Sequence, residues 1–258
     1  MRLALIIEYE GTRYQGFQLQ LNAPSIQGEL EEAIEKLTAE KIRLRGAGRT
    51  DAGVHALGQV VAFDTHSHYT IDTFVKALNY YLPEDIAVKQ AHLVRDDFDP
   101  RRDAVSRAYR YSILNSPTPS PLLARFALHV GRTLDTEAMQ KAATYLEGEH
   151  DFSMFSRPLQ GIRSTRRRIY KAQVWRKKDR VIIDVEGNSF LPQQVRRMTG
   201  ALVQAGLGKM SLGQFQELLA YGENARSPAA LPAKGLCLIG VHYKDFPPKV
   251  GKENDDDQ

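Results

Sequence analysis

The stretch Lys41–Asp64, KIRLRGAGRTDAGVHALGQVVAFD, contains two extended segments in succession with a glycine-rich loop between them. Residues 41–46 and 57–64 carry the apolar alternation and β-branched content of strands. Three glycines within eight residues of the loop demand a tight backbone path rather than a helix. The stretch therefore predicts two neighbouring strands joined by a loop of closely specified conformation.

A strand and a helix flank this pair on each side. Residues 2–9 alternate with a period of two, and Ser25 caps a predicted helix whose apolar residues recur at helical spacing. Residues 70–81 form a second predicted helix, and residues 86–94 form a further strand. The order β-α-β-β-α-β predicts a ferredoxin-like unit, an antiparallel sheet with both helices on one face.

The second half of the chain repeats this order with longer insertions and without a residue-level repeat. The predicted strands are 104–114, 168–176, 180–187 and 236–243, and the predicted helices are 135–147, about 190–205 and 211–221. We therefore expect an α+β protein of two ferredoxin-like halves, with their antiparallel sheets joined side by side and an active-site cleft between them. The expected boundaries are 1–103 and 104–246, followed by a disordered acidic tail at 247–258.

Composition excludes several classes of protein. The chain has 258 residues, 42% of them hydrophobic and 26% charged, which is typical of a globular protein. No apolar run approaches the about 20 residues of a membrane-spanning helix, and no secretory signal is visible. A single cysteine, Cys237, excludes an intrachain disulfide framework and any multi-cysteine metal site. We therefore expect a cytoplasmic protein with no membrane partner.

Basic residues are concentrated in one region. Between Arg157 and Arg180 the chain has ten Lys or Arg residues and one acid, Asp179. Such a concentration is typical either of a polyanion-binding surface or of a solvated basic face.

The glycine-rich loop presents one carboxylate, Asp51, beside the guanidinium of Arg49. A strand follows the loop where a dinucleotide-binding motif would have a helix, so a nucleotide cofactor site is rejected. A neighbouring positive charge keeps a carboxylate ionised, as a nucleophile or base requires. The alternative is that Asp51 stabilises its own turn. Without a phosphate-binding loop, zinc knuckle or acidic cluster in the sequence, we expect neither cofactor nor metal.

Two further segments carry candidate RNA-binding and active-site residues. On the strand 104–114, Arg107, Tyr109 and Tyr111 share one face, an arrangement that can stack a base and bind its phosphate. Ordinary strand tyrosines with exposed arginines are the alternative. Arg196 lies in a predicted helix with apolar surroundings, and a buried arginine needs a carboxylate, for which we nominate Asp51.

These residues occur in blocks that resemble the TruA-type tRNA pseudouridine synthases over almost the whole chain, from Tyr9 to Tyr243. The block GRTDAGVHALGQVVAF at 48–63 is the most specific. The others are YEGTRYQGFQLQ, SIQGELE, LNYYLPEDIAV, RDDFDPRRDAVSRAYRYSI, GEHDFSMF, GNSFLPQQVRRMTG and LPAKGLCLIGVHY, in the order of the family. In one departure, Pro192, Gln193 and Gln194 stand where many relatives have histidines.

The resemblance implies that the protein isomerises uridine to pseudouridine at positions 38–40 of the tRNA anticodon arm, as a homodimer without metal or cofactor. It implies that Asp51 is catalytic, Arg49 flips the base, Tyr109 stacks on it, Arg196 pairs with the aspartate and Leu236 lines the pocket. The predicted tRNA-binding residues are Phe98, Arg101, Arg102, Arg107, Arg163 and Arg166.

The sequence leaves two alternative functions open. An RNA-binding module could have kept the sheet without the chemistry, and a small-molecule hydrolase of the same fold would bind no tRNA. The reaction itself needs the base to leave its stack. The carboxylate could then attack the uracil ring or ribose C1′, or remove a proton from C2′.

Overall fold

The computed structural model describes residues 1–157, 164–220 and 227–247. In these residues the chain forms a sheet of ten strands and five α-helices. The strands are β1 (Arg2–Tyr9), β2 (Arg45–Gly46), β3 (His55–Asp64), β4 (Ile86–Leu93), β5 (Ala104–Leu114), β6 (Leu128–His129), β7 (Gly148–Asp151), β8 (Arg166–Lys177), β9 (Arg180–Gly187) and β10 (Leu236–Tyr243). The helices are α1 (Ile26–Thr38), α2 (Ile71–Tyr81), α3 (Thr136–Thr144), α4 (Gln194–Gly206) and α5 (Leu212–Ala220). None of the helices within these ranges is both long and apolar enough to cross a membrane.

Local sequence explains where the first helices begin and end. The Ser25 side chain accepts a hydrogen bond from the Gly28 N–H at the start of α1, which is a standard N-terminal cap. Thr70 caps α2 in the same way, and α2 ends immediately before Leu82 because Pro83 disfavours helical geometry in the residue before it. Both helices bury an apolar face on the sheet.

The strands follow the order β4-β1-β3-β10-β5-β9-β8-β7, with β2 beside β3 and β6 beside β5. Neighbours are antiparallel except for β3 with β10 and β5 with β6. The parallel contact aligns Cys237 with His55 and Leu238 with Ala56. This short pairing joins strands from the two halves of the sequence into one sheet.

Two hydrophobic clusters lie on either side of that junction. One is built mainly by β1, β3, α1 and α2, and the other mainly by β5, β8, β9, α3 and α4. Each also takes residues from the other half, since Leu238 and Val241 pack in the first cluster and Val54 in the second. The clusters therefore fix the two halves relative to each other.

Most predicted elements are present, with three differences. The strand expected at 41–46 is confined to Arg45–Gly46, because the Leu44 N–H donates to the Glu31 side chain instead of a neighbouring strand. β6 and β7 were not predicted from the sequence, because both are short and form by pairing with longer strands. Of the tail predicted to be disordered, residues 248–258 lie outside the described residues.

Candidate active site

A cleft of about 960 Å³ receives residues from both halves of the chain. Its walls include the glycine-rich loop, the start of β5, and the segment that leads into α4. The described lining residues include two carboxylates, Asp51 and Asp99, and seven arginines: Arg45, Arg49, Arg101, Arg107, Arg157, Arg167 and Arg196. Because arginines outnumber carboxylates, the cleft attracts polyanions.

Asp51 and Arg196 form an ion pair in this cleft. Arg196 Nη1 donates to Asp51 Oδ2 at 3.0 Å, so the contact nominated from the sequence is present. Arg196 Nε donates to the Leu231 carbonyl at 2.6 Å, which fixes the orientation of the guanidinium. The Arg196 side chain is 15% exposed and that of Asp51 is 37% exposed. A carboxylate is thus held by a partly buried cation and still faces the cleft.

The backbone around Asp51 is held from several sides. Its carbonyl accepts a hydrogen bond from the Val54 N–H at 3.2 Å, and Gly53 within this turn has a φ of +75°. Thr50 is fixed by its side-chain contact with the Tyr9 hydroxyl at 2.8 Å and by the Phe17 N–H, which donates to its carbonyl. These bonds hold the carboxylate in position before any ligand binds.

Glycines in the neighbouring segments allow a close approach of the chain to this loop. Gly16 has a φ of +99°, and a Cβ there would lie 2.7 Å from the Thr50 carbonyl oxygen. A Cβ at Gly46 would lie 2.6 Å from the Phe17 ring. Gly48 has neither restriction, since a Cβ there would meet nothing within 4 Å. Two of the three loop glycines, Gly46 and Gly53, are therefore required by the backbone or its packing, and Gly48 is not.

Tyr109 lies in the same cleft, with its ring 5.2 Å from that of Phe190 in an edge-to-face arrangement. Burial raises the pKa of the Tyr109 phenol to about 12, so the hydroxyl stays neutral at physiological pH. Leu236, the first residue of β10, lines the cleft and is 5% exposed. Together these residues give the cleft an apolar, aromatic wall suited to a flat ring.

Arg49 also lines the cleft and is exposed. The sequence suggested that its charge keeps Asp51 ionised, but the ion pair in the described residues is made by Arg196. Arg49 forms no salt bridge within the described ranges. Its guanidinium is therefore available to a ligand rather than committed to Asp51.

The predicted tRNA-binding residues occupy different environments. Arg101 and Arg102 are exposed, and Arg101 lines the cleft, whereas Phe98 is 2% exposed and packs against Tyr243 and Phe246. The Phe98 ring is thus part of the core and offers no free face to a base. Arg163 lies outside the described residues.

Strand geometry separates the three consecutive arginines at the start of β8. Arg166 and Arg168 lie on one face and pair with Glu149 at 3.2 and 3.4 Å, as alternation along a strand requires. Arg167 faces the other way and lines the cleft; its Nη1 donates to the Ser164 and Arg166 carbonyls, and its buried Nε has no partner in the described chain. Arg166 was predicted as a tRNA-binding residue and Arg167 was not. The two positions can be distinguished because neighbouring side chains on a strand point to opposite faces of the sheet.

Other lining residues were also not identified from the sequence, among them Phe190. Gln193 and Gln194, the two glutamines at the start of α4, differ in exposure. Gln194, the first residue of α4, is fully buried and its Oε1 accepts from the Leu191 N–H, while Gln193 precedes the helix with a φ of +63° and lines the cleft. Gln194 therefore has a structural role at the start of α4.

Within the ranges given above, no group of three or more His, Cys, Asp or Glu side chains is placed to hold a metal ion. What the arrangement provides is one oriented carboxylate, an aromatic wall and a surplus of guanidinium groups. This combination suits acid–base or nucleophilic chemistry on a base of a nucleic acid.

The chain is similar to several known proteins. The family model described as tRNA pseudouridine synthase matches residues 5–101 and 142–244. The tRNA pseudouridine synthase A of Geotalea daltonii is 44% identical over 241 residues, covering 93% of this chain and 99% of the relative. That of Pelobacter propionicus is 42% identical over 241 residues with the same coverage. A solved Cbf5-Nop10-Gar1 complex aligns with 92% of this chain and 58% of its own matched chain, at a TM-score of 0.34 and 11% identity. The matches to the family model and to the full-length relatives show that the chain belongs to the tRNA pseudouridine synthase family, whose members are isomerases.

Proposed function

We propose that the chain isomerises uridine to pseudouridine at positions 38–40 in the anticodon stem-loop of tRNA, by base flipping and without a cofactor. The observation that carries this proposal is the Asp51–Arg196 pair in a cleft lined by arginines. Family membership supports the reaction and the tRNA substrate, and the geometry of the Asp51–Arg196 pair supports Asp51 as the carboxylate that acts.

Asp51 is the catalytic residue in this proposal. Arg196 donates to Oδ2, and no described donor reaches Oδ1, so Oδ1 is the atom that reacts. It attacks the uracil ring or ribose C1′, or removes the C2′ proton. In each case the N1–C1′ bond breaks, the base rotates and a C5–C1′ bond forms. The covalent bond to Asp51 then breaks, or the C2′ proton is returned, so that the carboxylate is regenerated. The C5 proton is released to water and N1 gains a proton, so the step needs no oxidant or reductant.

The surrounding residues bind the flipped base. Tyr109 stacks on the uracil ring and Leu236 contacts it from the start of β10, since both line the cleft. Arg49 takes the place that the base leaves in the stem or binds its phosphate; its exposed guanidinium without an ion-pair partner in the described chain supports this role.

The RNA backbone runs along the arginines of the cleft. Arg101 and Arg167 are the contacts best supported by geometry, and Arg102 lies on the rim, where it pairs with Asp99 at 3.2 Å. Guanidinium groups bind phosphate in a bidentate manner, and each contact releases counterions. Affinity for tRNA will therefore fall steeply with salt.

The architecture proposed here is two ferredoxin-like halves, 1–103 and 104–246, with the helices on one face. The strand orders β4-β1-β3-β2 and β10-β5-β9-β8 support it. When the four main strands of each half are numbered along the chain, both halves have the spatial order 4-1-3-2 of a ferredoxin-like unit. Along β1, Leu3, Leu5 and Ile7 on one face are fully buried, whereas on the other face Ala4 is buried and Ile6 and Glu8 are partly exposed. A homodimer in the cytoplasm completes the proposal, and sedimentation of the full chain tests the dimer.

Release of tritium from tRNA labelled at uridine C5 tests the reaction directly. Wild-type protein should release tritium to water, and Asp51→Asn should release none while still binding tRNA. If the wild type binds tRNA but releases nothing, the chain is an RNA-binding protein and the proposed activity fails. Mapping the product by reverse-transcription stops after carbodiimide treatment tests positions 38–40.

A further inference from the structure

Arg107 lines the cleft and yet is only 8% exposed. Its Nη1 donates to the Asn188 carbonyl at 2.8 Å, and its Nη2 donates to the carbonyls of Ala47 at 2.9 Å and Arg101 at 2.6 Å. A longer bond of 3.3 Å joins Nη1 to the Ala104 carbonyl. The guanidinium group is therefore enclosed by backbone oxygens.

These carbonyls belong to separate walls of the cleft. Ala47 lies in the glycine-rich loop four residues before Asp51, and Asn188 lies at the end of β9, ahead of the helix that carries Arg196. Arg107 itself precedes Tyr109 by two residues on β5, so the two side chains share a face. One guanidinium thus connects the segments that supply the carboxylate, its arginine partner and the stacking ring.

The bonding of Arg107 differs from that of a phosphate-binding arginine. No carboxylate pairs with it in the described parts of the chain, and burial lowers the pKa of its guanidinium. Both terminal nitrogens already donate to carbonyls, so few donors remain for RNA. A lysine could not reproduce these bonds, because an ammonium group lacks the planar fork of donors that reaches these four carbonyls.

We propose that Arg107 is a positioning residue, which fixes the Asp51 loop relative to Tyr109 and to the segment leading into α4, and that it does not bind phosphate. The inference rests on the proposed function, since it assigns Arg107 an effect on the chemical step. It also replaces the tRNA-binding role expected for Arg107 from the sequence.

The test compares Arg107→Lys and Arg107→Gln with wild type under single-turnover conditions, at enzyme concentrations that saturate tRNA. We expect the rate of pseudouridine formation to fall by about 10- to 100-fold, because a displacement of about 1 Å at a reacting group has effects of this size. The dissociation constant for tRNA should stay within about twofold of wild type, and its salt dependence should not change, since no phosphate contact is lost.

Arg110→Gln is the matched control. Arg110 lies on the same strand but on the opposite face, paired with Asp184 at 2.7 Å and outside the cleft. Its loss should leave both rate and affinity at wild-type values. Circular dichroism checks that each variant is folded at the assay temperature.

Four outcomes overturn the inference. Weaker tRNA binding with a shallower salt dependence in Arg107→Gln would make Arg107 a phosphate contact. Wild-type rates in both variants, or an equal fall in rate for Arg110→Gln, would show that these bonds do not position the site. Unfolding of both Arg107 variants would show that Arg107 is required for folding and has no separate role in positioning the site. An inactive wild type, in contrast, refutes the proposed function itself.

Discussion

Arg196 Nη1 lies 3.0 Å from Asp51 Oδ2, although 145 positions separate the two residues in the chain. The contact joins the glycine-rich loop of the first half to α4 of the second. Because the Leu231 carbonyl holds the guanidinium from the other side, the ion pair has a defined geometry and leaves Asp51 Oδ1 free of described donors.

Removing the guanidinium should impair the reaction more than tRNA binding. In Arg196→Met, Asp51 loses its only described ion-pair partner, and we expect the single-turnover rate to fall by roughly 10²- to 10³-fold, the range typical of a lost electrostatic contact in an active site. Arg196→Lys should not restore the wild-type rate, because an ammonium cannot bind Asp51 and Leu231 together in the same way. Arg197→Lys is the control, since Arg197 contacts Ser227 and Pro228 instead. A wild-type rate in Arg196→Met would contradict the assignment.

The ring of Tyr109 should matter and its hydroxyl should not. Burial raises the pKa of Tyr109 to about 12, so the phenol is neutral at any pH from 6 to 10, and no described residue bonds its hydroxyl. Tyr109→Phe should therefore have the same pH–rate profile as wild type over this range. Tyr109→Ala should lose stacking worth about 1–3 kcal/mol. A basic limb that is present in wild type and absent from Tyr109→Phe would show that the hydroxyl titrates.

The three arginines of β8 should differ in their effect on RNA affinity. Arg167→Gln should weaken tRNA binding and reduce the slope of log K against log salt by roughly 0.7–0.9, the value for one phosphate contact. Arg166→Gln and Arg168→Gln remove the same charge from the face that pairs with Glu149, so they should change the slope less. Filter binding between 50 and 300 mM salt gives all three slopes. Equal slopes would show that only the net charge matters.

Cys237 should be unreactive in the folded protein. Burial raises the pKa of its thiol to about 12, so the reactive thiolate is a minute fraction at pH 8. Iodoacetamide should therefore label the native protein far more slowly than the urea-unfolded protein, in which the thiol has its ordinary pKa. Mass spectrometry over time measures both rates, and rapid labelling of the native form would contradict the raised pKa of this thiol.

Gly16→Ala should destabilise the protein, because the φ of +99° and the Thr50 carbonyl both oppose a Cβ at this position. The expected loss in the free energy of unfolding is about 1–3 kcal/mol. Gly48→Ala is the control in the adjoining loop, where a Cβ meets nothing within 4 Å, and it should change stability by less than about 1 kcal/mol. Urea unfolding measures the stability of both variants. Equal losses in the free energy of unfolding would show that the backbone geometry at Gly16 does not explain its effect.

The amino-acid sequence by itself determined the family, most of the strands and helices, and the identity of Asp51 and Arg196 as candidates. These features depend on short stretches of sequence. Apolar periodicity predicts strands such as β5, and a carboxylate in a glycine-rich turn can be recognised without knowledge of the fold. The short strands β6 and β7 were not predictable, because they form only by pairing with distant strands.

Only the tertiary structure decided what surrounds each arginine. Arg107, Arg166 and Arg167 look alike in the sequence, yet one is enclosed by backbone carbonyls, one pairs with Glu149 and one faces the cleft. The physical reason is that the role of an arginine depends on which acceptors surround its guanidinium group. Those acceptors come from parts of the chain that are brought together only when the two halves of the sheet join.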